Sequence, residues 1–541
     1  MGCALRTVVI ADHFLRDEYK RIAAKAKAGK LDAVASHFEK LAEAADKTAA
    51  PDQVHAVLQI APPHVAGVTV TAVGYDDGKK GKEHVTCPSC KSAMGADSRV
   101  YAFNLMFKTN VGPGSKRTGY MRPETAQGIF TDYTFLYRYF REQLPFGVVQ
   151  IGKSYRNEIS PRQGLLRLRE FTQMEAEVFV DPHDGKKHRR FARMANLKVT
   201  LVPNADEKPH PMTIGDAVKN KVIANETLAY FVGLTHRFLI SVGLTSEHVR
   251  FRQHRKNEMA HYANDCWDAE FFSERFGWVE CVGIADRSAY DLTAHAKESG
   301  VDLNAMRKYD EPREVRRKAV KPLGAKLGPL FKGDAGKITE MLRAMDGANV
   351  HAAKPVELHV NGRTIAVPAD CFTVEEVVER SAGETFTPHV IEPSYGVDRI
   401  LYAVLEHAYK EETKEVEGAT ESYRTMVLPP MVAPIKVGVF PLVNKGGLPE
   451  LAERIAHDLR ATGLNTAYDD GGTIGRRYAR MDEVGTPFCV TVDFESVEAG
   501  ANHGTVTLRE RDSAQQTRVQ VTELAARIRS RLEAPLRKVL A

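Results

Sequence analysis

Long apolar runs are missing from this chain. Nowhere do its 541 residues hold the roughly 18 consecutive apolar side chains that a membrane-spanning helix needs, so neither a spanning helix nor a membrane partner is expected. Cysteine is scarce: seven residues, mostly scattered singly, argue against a disulfide framework and for a reducing compartment. The opening MGCALRTVVIADHFLRDEYK lacks the basic start, apolar block and small-residue cleavage site of a signal peptide, which leaves the cytoplasm as the expected location. A dominant charge is lacking too. The 75 Lys+Arg against 70 Asp+Glu leave a net +5, which permits a nucleic-acid partner without arguing for one. Residues 433–541 carry 15 Lys+Arg and 14 Asp+Glu, 15 − 14 = +1, so any such binding there falls to a shaped surface rather than to bulk charge.

A chain of this length exceeds one core, and roughly two to four domains are expected. The composition is ordinarily globular. Residues 1–100 combine an Ala/Lys/Glu/Leu-rich stretch from Asp17 to Ala49, read as a pair of surface helices, with Cys87-Pro-Ser-Cys90. That CxxC pair is half of a tetrahedral zinc set, with Cys3 the only other cysteine nearby, so bound zinc and a metal-free knuckle both stay open. Residues 101–299 hold the segments densest in polar and aromatic residues. Residues 300–385 read as an inserted module with short β-like runs, VELHV and RTIAV, and an amphipathic segment near Lys337 to Met345. Density returns in residues 386–427, with a helix expected from Leu401 to Glu411. The proline cluster LPPMVAP marks a boundary, after which residues 433–541 alternate strands and helices as a compact α/β domain with a mostly parallel sheet, closed by a helix from Thr522 to Leu540.

The stretch QIGKSYRNEISPRQGLLRLREFTQMEAEVFV, Gln150 to Val180, organises the rest. It reads as a hairpin with arginines at both ends of its loop and carboxylates on its return strand, where Glu175, Glu177 and Phe179 alternate with Met174, Ala176 and Val178. Cations fixed beside acids suit a substrate that is a polyphosphate at one end and an ammonium at the other. Upstream, Tyr120 to Phe130 (YMRPETAQGIF) opens a helix at Pro123 and Glu124. Downstream, the strand Gly277 to Ala285 delivers Glu280, Asp286 and Arg287, and PHVIEPSYGVDR ends at Arg399. Buried charges at a strand end need partners, which marks that strand as a site wall.

In this order, these four segments closely resemble the active-site segments of class II glycyl-tRNA synthetases of the archaeal and eukaryotic type. The resemblance runs from about Cys87 to the C-terminus. It implies an α/β protein: an α+β catalytic domain on an antiparallel sheet, plus a C-terminal α/β anticodon-binding domain. It further implies a glycine–tRNA ligase that makes glycyl-adenylate from glycine and ATP with Mg2+, then passes glycine to the 3′ end of its tRNA. The chemistry needs no protein nucleophile, so positioning and charge stabilisation carry the rate. By resemblance, Arg156 spans the glycine carboxylate and the α-phosphate, Glu158 accepts from the adenine amino group, and Phe171 stacks on adenine. Arg167 holds the terminal phosphate, and Arg399 covers the other adenine face and the γ-phosphate. Asn157, Leu166, Leu168, Arg169, Glu170, Gly396, Val397 and Asp398 complete the implied ATP site, with Glu280 and Cys281 contacting ATP through magnesium. The implied glycine site comprises Glu124, Phe171, Thr172, Gln173, Met174, Glu175, Arg287, Glu392, Pro393, Ser394, Tyr395 and Gly396. Three carboxylates, Glu124, Glu175 and Glu392, around one ammonium are expected to repel each other in the empty pocket and raise a pKa.

No histidine is named as base for the transfer step: His254 and His261 lie in the right neighbourhood, but a lone His in such a segment is more often structural, and the adenylate phosphate can take the proton itself, so the role is left empty. The run DDGGTIGRRYARMD resembles the family's anticodon domain, a Gly-Gly loop and basic helix suited to single-stranded bases and their phosphates, and lacks the spacing of a dinucleotide fingerprint. The family's motif 1 segment, which builds its dimer interface, is not recognisable ahead of the cysteines. The expectation is therefore a chain that starts inside the knuckle region, while the resemblance itself implies a homodimer. Two rival readings stand beside this one. One is a class II synthetase for threonine, proline or histidine. The other is a non-catalytic nucleic-acid-binding relative, like the accessory subunit of the mitochondrial DNA polymerase, against which the presence of Arg156, Arg167 and Arg399 counts.

Overall fold

The computed structural model describes residues 11–46, 63, 68–71, 74–76, 82–86, 104–114, 117–158, 161, 163–255, 258–259, 263–416 and 419–540. Cys3, Cys87, Cys90 and His261 lie outside the described residues, and with them the expected zinc half-set. Helices α1 (Ala11–Ala28) and α2 (Asp32–Asp46) pair through Tyr19, Ile22, Phe38 and Leu41. They rest on a three-stranded sheet, β1 (Thr69–Thr71), β2 (Gly74–Asp76) and β3 (Lys82–His84). A short hairpin, β4 (Lys108–Asn110) and β5 (Thr118–Tyr120), precedes α3 (Ala126–Thr131) and α4 (Tyr133–Tyr139).

The centre is an eight-stranded sheet in the order β6-β7-β17-β12-β11-β10-β8-β9. Its strands are β6 (Phe146–Tyr155), β7 (Glu170–Val180), β8 (Lys198–Val202), β9 (His210–Thr213), β10 (Val249–Gln253), β11 (Asp265–Ser273), β12 (Gly277–Ser288) and β17 (His389–Gly396). All neighbours run antiparallel except β8 and β10. One face is closed by α5 (Glu226–Ser241) and α9 (Val397–Ala408), with Leu228, Val232, Leu239, Trp267, Ile284, Ile391 and Ala403 in the seam. The opposite face is covered at one end by α3 and α4 through Phe130, Tyr133, Phe146 and Phe179, and the rest of it carries the cleft. Two-residue alternation decides which side chains meet which layer. On β7, Gln173, Glu175, Glu177 and Phe179 are buried on one face, while Met174 and Val178 pack into the other core.

After α6 (Tyr290–Ser299), a long antiparallel pair, β13 (Ala305–Pro322) and β16 (Phe372–Phe386), carries α7 (Gly324–Phe331), α8 (Ala335–Ala344) and the hairpin β14 (Val356–Val360) and β15 (Arg363–Val367). These share their own core of Leu327, Ile338, Leu342, Leu358 and Phe372. The helix expected from Leu401 to Glu411 begins and ends earlier, at Val397 and Ala408. The Asp398 carboxylate anchors the helix start by accepting the Thr172 N–H at 2.6 Å. Glu411 belongs instead to a hairpin of β18 (Tyr409–Val416) and β19 (Ala419–Met426), where it accepts from Ser422 and Arg424 across the pair.

The C-terminal unit holds β20 (Val437–Pro441), α10 (Leu448–Ala461), β21 (Thr466–Tyr468), α11 (Ile474–Glu483), β22 (Phe488–Val492), β23 (Thr505–Glu510), β24 (Gln516–Gln520) and α12 (Val521–Leu540). Its sheet is mixed rather than mostly parallel. β20 runs parallel to β21 and β22, but β23 runs antiparallel to β22, and β24 antiparallel to β23 after the short turn 511–515. Asp482 on α11 joins this unit to the β18–β19 hairpin by accepting from Tyr423 at 2.5 Å and from both Arg509 nitrogens at 2.9 and 3.0 Å.

Candidate active site

The cleft, about 720 Å3 and open to solvent, is walled by the β6–β7 loop, β12, β17 and the start of α9. Arg156, Glu158, Leu166, Arg167, Leu168, Phe171, Thr172, Gln173, Glu280, Cys281, Ser394, Gly396, Asp398 and Arg399 all line it, brought together from three separated segments. Arg156 is held by its Nε–H to the Pro123 carbonyl at 3.2 Å and lies 5.4 Å over the Phe171 ring, leaving its outer nitrogens toward the cleft. Arg399 donates to the Leu166 carbonyl at 3.1 Å and the Glu280 carbonyl at 2.8 Å, so one side chain ties the loop to β12. Glu158 receives Arg167 at 4.0 Å through its carboxylate and Arg169 at 3.1 Å through its carbonyl. Asn157 is turned to Leu105 and Asn104, and Glu170 pairs loosely with Lys153 at 3.6 Å, so neither lines the cleft.

Magnesium, a hard cation, takes oxygen ligands. The half-exposed Glu280 carboxylate suits it, 3.4 Å from Arg399. The Cys281 thiol does not. It is buried, donates to the Ala269 carbonyl at 3.5 Å, and burial pushes its pKa up.

On the cleft-side face of the sheet, next to the residues that line the cleft, is a buried charge network. Arg287, 2% exposed, donates to both Asp291 oxygens at 2.8 and 2.9 Å and to Glu392 at 2.9 Å, stands 3.8 Å from Glu124, and stacks 5.4 Å from the Phe130 ring. Glu175 is engaged on both oxygens: one accepts from Thr125 N (2.6 Å), Thr125 Oγ1 (2.5 Å) and Ala126 N (3.0 Å) at the head of α3, the other from Ser394 at 2.8 Å. Glu124 accepts from Gln127 at 2.8 Å, and Gln127 in turn meets His295 at 2.8 Å. Burial is the main cause that pushes Glu392 up to about 7; Arg287 opposes it, and Glu175 and Glu124 add to it. The expected mutual repulsion is thus present but secondary to desolvation.

Strand alternation divides the implied glycine residues. Glu175, Gln173, Ser394 and Glu392 share the cleft-side face, whereas Met174 and Tyr395 point into the opposite core, with the Tyr395 hydroxyl 2.9 Å from Thr235. Pro393 alternates with them on that far face.

Two participants were given no site role in the sequence reading. Glu177 is fully buried, with neither oxygen hydrogen-bonded among the described residues, and burial and Glu392 raise its pKa well above the usual range. Strand alternation had placed it on the face of Glu175, two residues away. Asp291 lies four residues from Arg287, at the run where strand passes into helix, and i,i+4 pairing was its signal.

In the C-terminal unit the GRR run separates. Arg477 is buried and donates to the Asp470 and Gly472 carbonyls at 2.5 and 2.9 Å, bracing the Gly-Gly loop, and Arg480 pairs with Asp469 at 2.5 Å. Arg476 is exposed beside them.

Residues 107–196 match the family described as tRNA synthetase class II core domain (G, H, P, S and T), and residues 436–531 match the family described as anticodon binding domain. A glycine–tRNA ligase of Methanococcus vannielii is 46% identical over 467 residues, covering 83% of this chain and 79% of that protein. That of Methanocaldococcus jannaschii is 46% identical over 468 residues, covering 84% and 78%, and that of Methanothrix thermoacetophila 48% over 455 residues, covering 84% and 77%. With such identity over more than four fifths of its length, the chain belongs to the glycine–tRNA ligase family of ATP-dependent class II synthetases.

Proposed function

We propose that this chain activates glycine with ATP in the cleft and transfers it to the 3′ end of a tRNA whose anticodon is held by residues 433–541. The carrying observation is that Arg156 over Phe171 and Arg399 tied to Glu280 face one cleft, directly in front of the carboxylates gathered on Arg287. ATP lies between the two arginines with adenine on Phe171; Glu158 reads its amino group, and Arg167 and Arg399 hold the outer phosphates. When Mg2+ accompanies ATP, it screens the phosphate charge, and Glu280 is the carboxylate placed to hold it. Arg156 fixes the glycine carboxylate against the α-phosphate for in-line attack, its guanidinium offering a planar fork to both groups. Glu124, Glu175 and Glu392 surround the ammonium, and a larger amino acid is refused by lack of room for its side chain.

The remaining assignments belong to the same proposal. Residues 101–299 and 386–427 form the catalytic core, 300–385 an inserted module, and the protein works in the cytoplasm; among the described residues no helix is long and apolar enough to cross a membrane. A homodimer is supported by apolar side chains left exposed on the edge strand β6, where Val149 and Ile151 are 60% and 66% exposed. The test is aminoacylation of total archaeal tRNA with each amino acid in turn. Charging with glycine alone is the expected result, and charging with threonine, proline or histidine, or none with any amino acid, would overturn it.

A further inference from the structure

The transfer step needs a group to take the proton of the attacking hydroxyl, and the sheet floor supplies one beyond the adenylate site. The register of four adjacent strands sets up a row: Asp268 faces Gly283, Gly283 faces Ser394, and Ser394 faces Glu175. The flanking Trp267, Ala269, Val282 and Ile284 pack into the core on the other side, so the row lies on the cleft face. Gly283 leaves a gap in it. A Cβ placed there would meet nothing within 4 Å, so the floor is open between Asp268 and Ser394, a span of about 10 Å across two strand spacings.

Asp268 is held for a purpose its burial does not explain. It is 3% exposed, yet both its oxygens lie 2.8 Å from His254 Nε2, and Oδ2 also accepts from Arg252 at 2.9 Å. His254 is fixed by its own main-chain N–H to the Cys266 carbonyl at 3.0 Å, and its Nδ1 has no hydrogen-bond partner among the described residues, so the ring's polar contact is with Asp268. This is a base held by an orienting group, at the edge of a gap in the cleft floor. By contrast, Glu175 is hydrogen-bonded to the head of α3 and to Ser394, and Glu392 is paired with Arg287.

We propose that Asp268, positioned by His254 and Arg252, receives the terminal ribose hydroxyl of the tRNA over Gly283 and takes its proton in the transfer step. The assignment rests on the two-step charging reading above. The hydroxyl oxygen forms a bond to the adenylate carbonyl carbon, the bond from that carbon to the phosphate oxygen breaks, and AMP leaves with the electron pair. The proton passes to the Asp268 carboxylate and is shared with His254. Burial, which raises the carboxyl's pKa, makes it a stronger base. The charged and titratable groups facing the pair are Arg252, with its partner Glu258, on the β10 side, Cys266 on β11 and Glu280 on β12.

The test separates the half-reactions in the full chain: glycine-dependent ATP–pyrophosphate exchange for the first, and single-turnover transfer from preformed glycyl-adenylate to tRNA for the second. For Asp268→Asn, transfer is expected to fall about 100-fold more than exchange. His254→Gln keeps a donor to Asp268 but cannot share the proton; its transfer is expected to fall about tenfold more than exchange, and the rise of the transfer rate with pH to shift or flatten. Thermal unfolding reads whether each variant is folded, and the His254 variant keeps the proposal exposed if the buried Asp268 variant is not. Parallel loss of both half-reactions, or an unchanged transfer rate, would overturn the proposal. So would one bound zinc per chain that is lost in Cys266→Ser, together with transfer blocked by phenanthroline, since His254, Cys266 and Asp268 lie within 4.8 Å of one another and would then be metal ligands. Absence of glycine-dependent exchange in the unaltered chain would strike the charging reading instead.

Discussion

Arg287 is the residue on which the buried charge network turns. One guanidinium, 2% exposed, compensates Asp291 and Glu392 directly and Glu124 at longer range, so its removal strands buried anions. Arg287→Met is expected to destabilise the core by about 3–5 kcal/mol, measured by urea unfolding, and to abolish glycine binding. Glu392 supplies a pH signature. Its folded pKa of about 7 lies above the ordinary 4.5, so between those values the folded state binds the extra proton and stability falls as pH rises. Glycine binding runs the other way, because the ammonium requires the ionised carboxylate. The KM for glycine in ATP–pyrophosphate exchange is expected to fall as pH rises through about 7 and then level, and Glu392→Gln is expected to flatten that profile.

Among the elements, Glu175 joins helix to sheet: it accepts the Thr125 and Ala126 main-chain N–H groups at the head of α3 and the Ser394 hydroxyl on β17. Glu175→Gln is expected to cost about 1–3 kcal/mol in thermal unfolding as well as glycine affinity, because a buried amide cannot accept at all of these positions. The hairpin, the buried strand at Gly277 and the final α/β unit were legible in the sequence because alternation and turn residues are local signals. Which side chains meet was not. Met174 and Tyr395 belong to the far core because strand parity, not proximity in sequence, assigns faces, whereas Cys281 joins Val282 in the core because a β-bulge opposite Ala269 and Glu270 breaks the alternation there. The hairpin after Ala408 was missed because its charged run suits an exposed helix as well as an exposed strand pair, and only the cross-strand partners of Glu411 decide. Asp268 was invisible for a deeper reason: His254, just past the end of β10, and Gly283 on β12 come beside it only through strand register.

For the whole molecule, the eight-stranded sheet brings the cleft-lining arginines, the acid network and the C-terminal unit into one chain of contacts, with Asp482 bonded to Tyr423 and Arg509 at the last joint. The exposed edge at Val149 and Ile151 is expected to be covered by a second copy; Ile151→Lys should shift the species seen by sedimentation from dimer to monomer. The central claim is that the cleft between Arg156 and Arg399 forms an adenylate from glycine. The most direct measurement is ATP–pyrophosphate exchange with glycine, alanine or serine, in the unaltered chain and in Arg156→Ala. The account predicts exchange with glycine only, and its loss, by about 100-fold or more, in the Arg156 variant while tRNA still binds. Equal exchange with alanine, or an Arg156 variant as active as the unaltered chain, would contradict it.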